Sequence, residues 1–227
     1  MKQHEEIKTV NGIGTDSKEI NGKLFSLSIE KLLNTKEFIP DDETKMKLIS
    51  HHFKQIMLIL GLDLEDDSLK GTPDRVAKMY VKEIFKGLNP ENKPEITLFE
   101  NKYNYKEMLV EKNITVYSSC EHHFVPIIGK AHVAYFSSGK VIGLSKINRI
   151  VQYYCKRPQV QERLTEQIAE ALKEALHTEN VAVMIDATHL CVASRGVGDV
   201  NSTTITSHFS GKFKTEEVKK EFLSFLR

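Results

Sequence analysis

The 227-residue chain has little excess charge, few cysteines and no long apolar run. Lys+Arg number 32 against Asp+Glu 31, a net charge of +1. That balance gives no nucleic-acid footprint, although a local basic pocket is compatible with a neutral total. No apolar run is long enough to cross a bilayer, so no membrane partner is expected. The stretch "MKQHEEIKTVNGIGTDSKEING" lacks the apolar region of a secretory signal, so the expected compartment is the reducing cytoplasm. There are three cysteines, Cys120, Cys155 and Cys191. An odd count in a reducing compartment excludes a disulfide framework, so each thiol is a core residue, a ligand or a nucleophile. The sequence also lacks a fixed-period repeat and any low-complexity segment.

What remains is an ordinary globular composition, 40% hydrophobic and 28% charged, sized for one generous domain or a domain with an appendage. Residues 1–25 show neither helical nor strand period and are expected to form a mobile tail. Residues 26–90 are expected to be helical. Met46, Ile49, Phe53, Ile56, Met57 and Leu60 recur at helical spacing, and Gly61 suits a stop. The neighbouring His51 and His52 point about 100° apart on such a helix, which suits surface residues better than one metal. In "GTPDRVAKMYVKEIFKGL", Thr72 is the expected N-cap, Pro73 the first helical residue and Gly87 the stop.

From residue 91 the period changes to that of strands, through residue 227. "EITLFE", "NITVYSS", "GKAHVAYFSSGKVIGL", "NVAVMIDATHLCVAS" and "TTITSHF" alternate and are rich in β-formers. Two helices interrupt them. One starts at an expected Ser145 N-cap; the other carries Val160, Leu164, Ile168, Leu172 and Ala175 on one face. "TEEVKKEFLSFLR" reads as a last short helix. The expected class is α+β: N-terminal helices, then an antiparallel sheet with a helical pair laid on it.

Chemistry concentrates at two places. "CEHH" sets Cys120 and His123 across a turn-length gap, a spacing that lets one loop chelate one ion. On the last long strand, Val181, Val183, Ile185, Ala187, His189 and Cys191 share one parity and hence one face. Cys120, His123 and Cys191 together offer the soft and borderline donors that zinc prefers, with a fourth position open as in catalytic sites. Zinc and three unrelated side chains both fit this spacing, since only the fold can bring residue 191 to residue 120. If they meet, bound zinc supplies a water that ionises near pH 7. His122 and His189 are then spare imidazoles suited to moving protons, or, for His122, to supporting a ligand.

Anion chemistry has its own candidates. Ser145, Lys146 and Arg149 open a helix, and Arg195 follows Cys191. A hydroxyl, cations and free backbone N–H groups make a phosphate cradle; a capped surface helix with solvated charges has the same sequence. Arg75 and Lys78 share a helix face, which on spacing alone is a solvated basic edge. Glu162, beside Gln161, could accept two N–H bonds from a guanine edge, but an exposed helical Glu is commonplace.

Four ordered blocks, "SSCEHHFVPIIGKAHVAY", "VIGLSKINRIVQYY", "RPQVQERLTEQIAEAL" and "HLCVASRGV", resemble the GTP cyclohydrolase I family, from about residue 71 to residue 213. The resemblance implies a tunnelling fold, an antiparallel four-stranded sheet with two helices on one side, assembled as a toroidal homodecamer with active sites shared between subunits. It implies a zinc-dependent hydrolysis and ring rearrangement of GTP to formate and 7,8-dihydroneopterin triphosphate, the first step of tetrahydrofolate and other pterin synthesis. Cys120, His123 and Cys191 then look like the zinc ligands, and His122 and His189 like the proton-transfer groups. Glu162 with Gln161 resembles the guanine anchor. Ser145, Lys146, Arg149 and Arg195 resemble the triphosphate cradle, with Arg75 and Lys78 as its further wall; Ser145 also looks suited to the sugar rearrangement. Phe136-Ser137-Ser138 departs from the family's usual Ile-Pro, at a turn. Cys155 matches no role and reads as a core thiol. Two rivals are a nitrile reductase of the same fold, with a cysteine nucleophile and a nicotinamide cofactor, and a non-catalytic zinc-stabilised nucleotide-binding oligomer.

Overall fold

The computed structural model describes residues 40–227, and residues 44–227 cluster as one compact unit. The tail expected over residues 1–25 lies outside the described residues. The elements are α1 (Asp42–Ile59) and α2 (Thr72–Met79), the latter continued by a π-helical turn over Tyr80–Ile84. Next come β1 (Leu98–Glu100), β2 (Leu109–Cys120), β3 (Pro126–Tyr135), β4 (Lys140–Ile142) and α3 (Leu144–Cys155). The chain continues with β5 (Pro158–Gln159), α4 (Gln161–Leu176), β6 (Val181–His189) and α5 (Leu190–Ala193). It ends with β7 (Thr204–Phe209) and α6 (Glu216–Phe225).

The main sheet runs β5-β2-β3-β6-β7. Its four long strands are antiparallel, as expected. A fifth, two-residue strand lies parallel to the end of β2, pairing Ser119 with Pro158 and Cys120 with Gln159. The stretch expected as one strand over residues 129–144 divides at a turn, and its second part pairs with β1 in a separate two-stranded sheet.

Alternation sorts the sheet's faces. Val116, Ile127, Ala131, Val133, Val183 and Ile185 point to one side and bury against Ile147, Ile150 and Val151 of α3 and Leu164, Ile168 and Leu172 of α4. Each of these Val, Ile and Leu side chains, fully buried, contributes about 1.5–3 kcal/mol. Cys155 belongs to this core, and burial pushes its thiol up to about 12, which leaves it inert. On the opposite face Phe222 of α6 joins Met108, Ala134, Phe136, Ala182 and Phe213 in a second cluster.

Three local expectations change. Thr72 does not cap α2: Gly71 is the N-cap, and the Thr72 hydroxyl accepts a 2.7 Å bond from Arg75. Ser145 does not cap α3 either; Gly143 precedes the helix and Ser145 sits in its first turn. Gly87 matters for close approach rather than for a helix stop. Its N–H bonds the Lys156 carbonyl at 2.8 Å, and a Cβ there would lie 2.2 Å from the Tyr153 oxygen. The expected stripe is unevenly covered: Met57 is buried, Met46, Ile49 and Phe53 are half-buried, and Ile56 and Leu60, the latter just past the end of α1, are exposed.

His132 on β3 gives the fold an acid sensitivity. It is 7% exposed, and its Nδ1 accepts the Asn113 N–H at 3.3 Å, so the site uses the neutral ring. Burial holds its pKa below the ordinary 6.5; Lys130 and Lys112 add to this and Asp186 opposes it. The unfolded chain therefore takes the proton first, so His132's contribution is full above about pH 6.5 and is lost as pH falls. Thermal melts should show stability declining from pH 7 to pH 5, with a shallower decline in His132→Gln.

Candidate metal centre and nucleotide site

Cys120 is the last residue of β2 and opens the turn into β3. Its N–H bonds the Val125 carbonyl at 2.9 Å, and Phe124 N–H bonds the Cys120 carbonyl at 2.8 Å. Phe124 holds φ at +55°, a left-handed conformation that costs a bulky residue about 1–3 kcal/mol. An aromatic clamp offsets that strain: the Phe124 ring lies 5.1 Å from Phe85 and 6.4 Å from Tyr80, both supplied by the segment after α2.

The second donor segment arrives differently from the expectation. β6 ends at His189, and the chain turns at once into α5, so Cys191 is helical. Strand parity therefore does not align Cys191 with His189; a helical turn carries its sulfur to the site. Donor atoms of Cys120, His123 and Cys191 all lie within 4.8 Å of one another.

The chemistry of this set suits a soft divalent cation. Burial first, then the adjacent Cys120 sulfur, pushes the Cys191 thiol above its ordinary value, and two adjacent sulfurs with an imidazole are the donor set such a cation takes. Arg195 Nη1 lies 3.0 Å from His123 Nε2. Arginine only donates, so Nε2 is the unprotonated nitrogen of His123; the guanidinium occupies its lone pair here and has to give way for that nitrogen to bind a cation. The residues present fit zinc. Glu166, Glu170 and His208 also cluster within 4.8 Å, but they offer no sulfur, and His208 Nδ1 is bonded to Glu166 at 2.9 Å.

The spare histidines sit on either side. His122 Nδ1 is 3.6 Å from the Cys120 sulfur, and its ring is largely exposed. Its neighbour Glu121 forms an ion pair with Arg163, whose guanidinium holds the Glu121 carboxyl below its usual range. Arg163 also donates to Gln159 Oε1 at 3.0 Å and to the Pro158 carbonyl at 2.9 Å. This tie between the Cys-Glu-His-His turn and the start of α4 escaped the sequence reading; the charged residue inside the motif was its one signal. His189 is half-buried, and burial lowers its pKa against the opposing charge of Glu162. Glu162 is exposed in the first turn of α4.

Gln161 differs from the expected substrate contact. It is 1% exposed. Its amide nitrogen bonds the Ile185 and Thr204 carbonyls, and its oxygen faces His189. Those three bonds occupy the side chain inside the fold.

The expected cations are spread more widely. Ser145 and Arg149 are exposed in the first two turns of α3, and Lys146 is half-buried between them. Arg195 stands against His123. Arg75 is engaged in its own segment, donating to the Ser68 carbonyl at 2.9 Å and to Thr72, and Lys78 is exposed.

Residues 49–227 match the family model of GTP cyclohydrolase I. A GTP cyclohydrolase 1 of Flavobacterium johnsoniae is 59% identical over 209 residues, covering 92% of this chain and 94% of that one. One of Enterobacter sp. is 56% identical over 188 residues, covering 82% and 85%. An archaeosine synthase QueF-like crystal structure overlaps with a TM-score of 0.36 at 19% identity, covering 44% of this chain and 91% of that one, too little to bear on fold or function. Among the described residues, no helix is long and apolar enough to cross a membrane. With its α+β architecture, a Cys/His/Cys cluster and sequence agreement running to its final residue, the chain belongs to the GTP cyclohydrolase I family and is a hydrolase of that family.

Proposed function

We propose that the chain converts GTP and water into formate and 7,8-dihydroneopterin triphosphate, with a zinc ion held by Cys120, His123 and Cys191. The observation that carries this reading is the meeting of those donors from two distant segments, with His189 close to Cys191 in the chain and subject to the charge of Glu162. Zinc, when bound, supplies a Lewis acid and a water that ionises near neutral pH.

The protein's own groups do the rest. Glu162 accepts two N–H bonds from the guanine edge and so fixes the purine. His189 and His122 hold and return protons at the opening ring, within the 10²–10⁴-fold range of about what positioned acid–base groups contribute. Ser145, Lys146, Arg149 and Arg195 hold the triphosphate, with Arg75 and Lys78 as the outer part of the cationic wall. This grip orients the substrate through both hydrolytic steps and the sugar rearrangement, in which Ser145 also takes part.

The product would enter tetrahydrofolate and other pterin synthesis, in the cytoplasm. The working form would be a toroidal homodecamer with sites shared between subunits. Support for assembly comes from the exposed Ile56 and Ile59 of α1, with Leu60 just beyond it, and from β7, an edge strand carrying exposed Ile205.

Zinc-loaded protein incubated with GTP should release formate and, after oxidation, a fluorescent pterin in equal amounts. Unchanged GTP with a full zinc complement would overturn the reading in favour of a binding module. Arg149 is exposed, so the fold tolerates its replacement. Arg149→Ala should weaken GTP binding by about 1.5–3 kcal/mol, roughly 10- to 150-fold in affinity, as read by titration calorimetry.

A further inference from the structure

The Gln161–His189 contact carries more information than its length. Gln161 is buried at the start of α4, and its amide nitrogen lies 3.1 Å from the Ile185 carbonyl oxygen and 2.7 Å from the Thr204 carbonyl oxygen. Both partners are acceptors only, so the atom facing them must be the NH₂ group, with both its protons used. The opposite amide orientation would set an oxygen against two oxygens and leave two buried carbonyls without donors. Gln161 Oε1 is thereby left 2.7 Å from His189 Nε2. An amide oxygen only accepts, so His189 Nε2 must be the donor.

A neutral imidazole carries one N–H, and the proton on Nε2 leaves the lone pair on Nδ1. We infer that Gln161 is a positioning residue that holds His189 as the Nε2–H tautomer, making Nδ1 the one nitrogen through which His189 accepts and returns a proton. This rests on the reading of His189 as a proton-transfer group. The clamp is anchored in three elements, with Ile185 on β6, Thr204 on β7 and Gln161 on α4. Thr165 reinforces it, donating to the Gln161 carbonyl at 2.9 Å and meeting the Thr206 hydroxyl at 2.7 Å. Gln161 therefore cannot turn its amide over without breaking bonds to both strands.

The test is the proton's address in the full-length, zinc-loaded protein labelled with ¹⁵N-histidine. A two-bond ¹H–¹⁵N correlation spectrum, assigned with His189→Ala, distinguishes the two tautomers directly. The expected result is a protonated Nε2 and a pyridine-like Nδ1 on His189. A protonated Nδ1 in the native protein overturns the inference, whatever the activity.

Gln161→Met removes donor and acceptor at similar volume. It should mix the tautomers and lower kcat by about 10- to 100-fold, the cost of losing an outer orienting partner, with KM for GTP little changed. Gln161→Glu still accepts from Nε2–H but sets its second oxygen against the Ile185 and Thr204 carbonyls, so it should keep the native tautomer at the cost of a lower melting temperature. A raised KM with kcat and tautomer unchanged would make Gln161 a substrate contact and overturn the proposal. The native spectrum needs no variant, so misfolded mutants do not shelter the idea. Failure of the native protein to release formate would reject the functional reading on its own, independently of the spectrum.

Discussion

Cys191→Ser is expected to fold, to lose its zinc and to turn over no measurable GTP. The sulfur is only half-buried, on the short α5 rather than in the core. Serine therefore fits with little change in melting temperature. The loss falls on the metal. Outer partners of a ligand are worth about 10–100-fold in metal affinity or activity, and a ligand itself is worth more. A hydroxyl is also a poor substitute for a thiolate in a soft donor set. Metal content per chain should fall from near one to near zero, and formate release by well over about 100-fold. A variant that kept both metal and turnover would mean Cys191 is not a ligand.

The second large effect is expected at His189. His189→Ala should lower kcat by about 10²–10⁴-fold while leaving zinc content intact and KM for GTP within a few fold. The imidazole lies at the end of β6, bonded to buried Gln161 and subject to the charge of Glu162. It is therefore held in place but not itself part of the donor cluster. The separation of readouts decides the matter. Lost zinc would make His189 a support of the metal shell, and unchanged kcat would remove it from the proton-transfer chemistry.

The framework was legible because periodicity is set by burial. Ile147, Ile150 and Val151, and Leu164, Ile168 and Leu172, recur at helical spacing because each stripe lies on one sheet face. The alternation of β3 and β6 follows from the same cause. Cys191 shows where that signal stops. The strand pattern of Val181 to His189 runs on through Leu190 and Cys191 with the right parity, so nothing in the residues marks the switch to helix at Leu190. Cys191 does join the Cys/His/Cys cluster, but through a helical turn rather than through strand parity.

Pro158 and Gln159 pair as a strand of only two residues beside Cys120, too short for any periodicity to reveal. Gln161 is a polar residue at the start of an amphipathic helix and reads as exposed. Its burial depends on β6 and β7 closing over it, contacts between residues distant in sequence. Thr72 and Ser145 have the right chemistry for caps, but Arg75 takes one hydroxyl, and α3 starts one residue before the other. The apolar stripe predicted the α1 helix correctly without revealing that, among the described residues, Ile56 stays exposed.

The central claim is that residues 120, 123 and 191 grip one zinc ion. X-ray absorption at the zinc edge of the purified, stoichiometrically loaded protein tests it most directly. The account predicts a first shell with two sulfurs and one imidazole nitrogen, and one sulfur fewer in Cys191→Ser. A shell of oxygen and nitrogen alone, or the same two sulfurs in the variant, would contradict it.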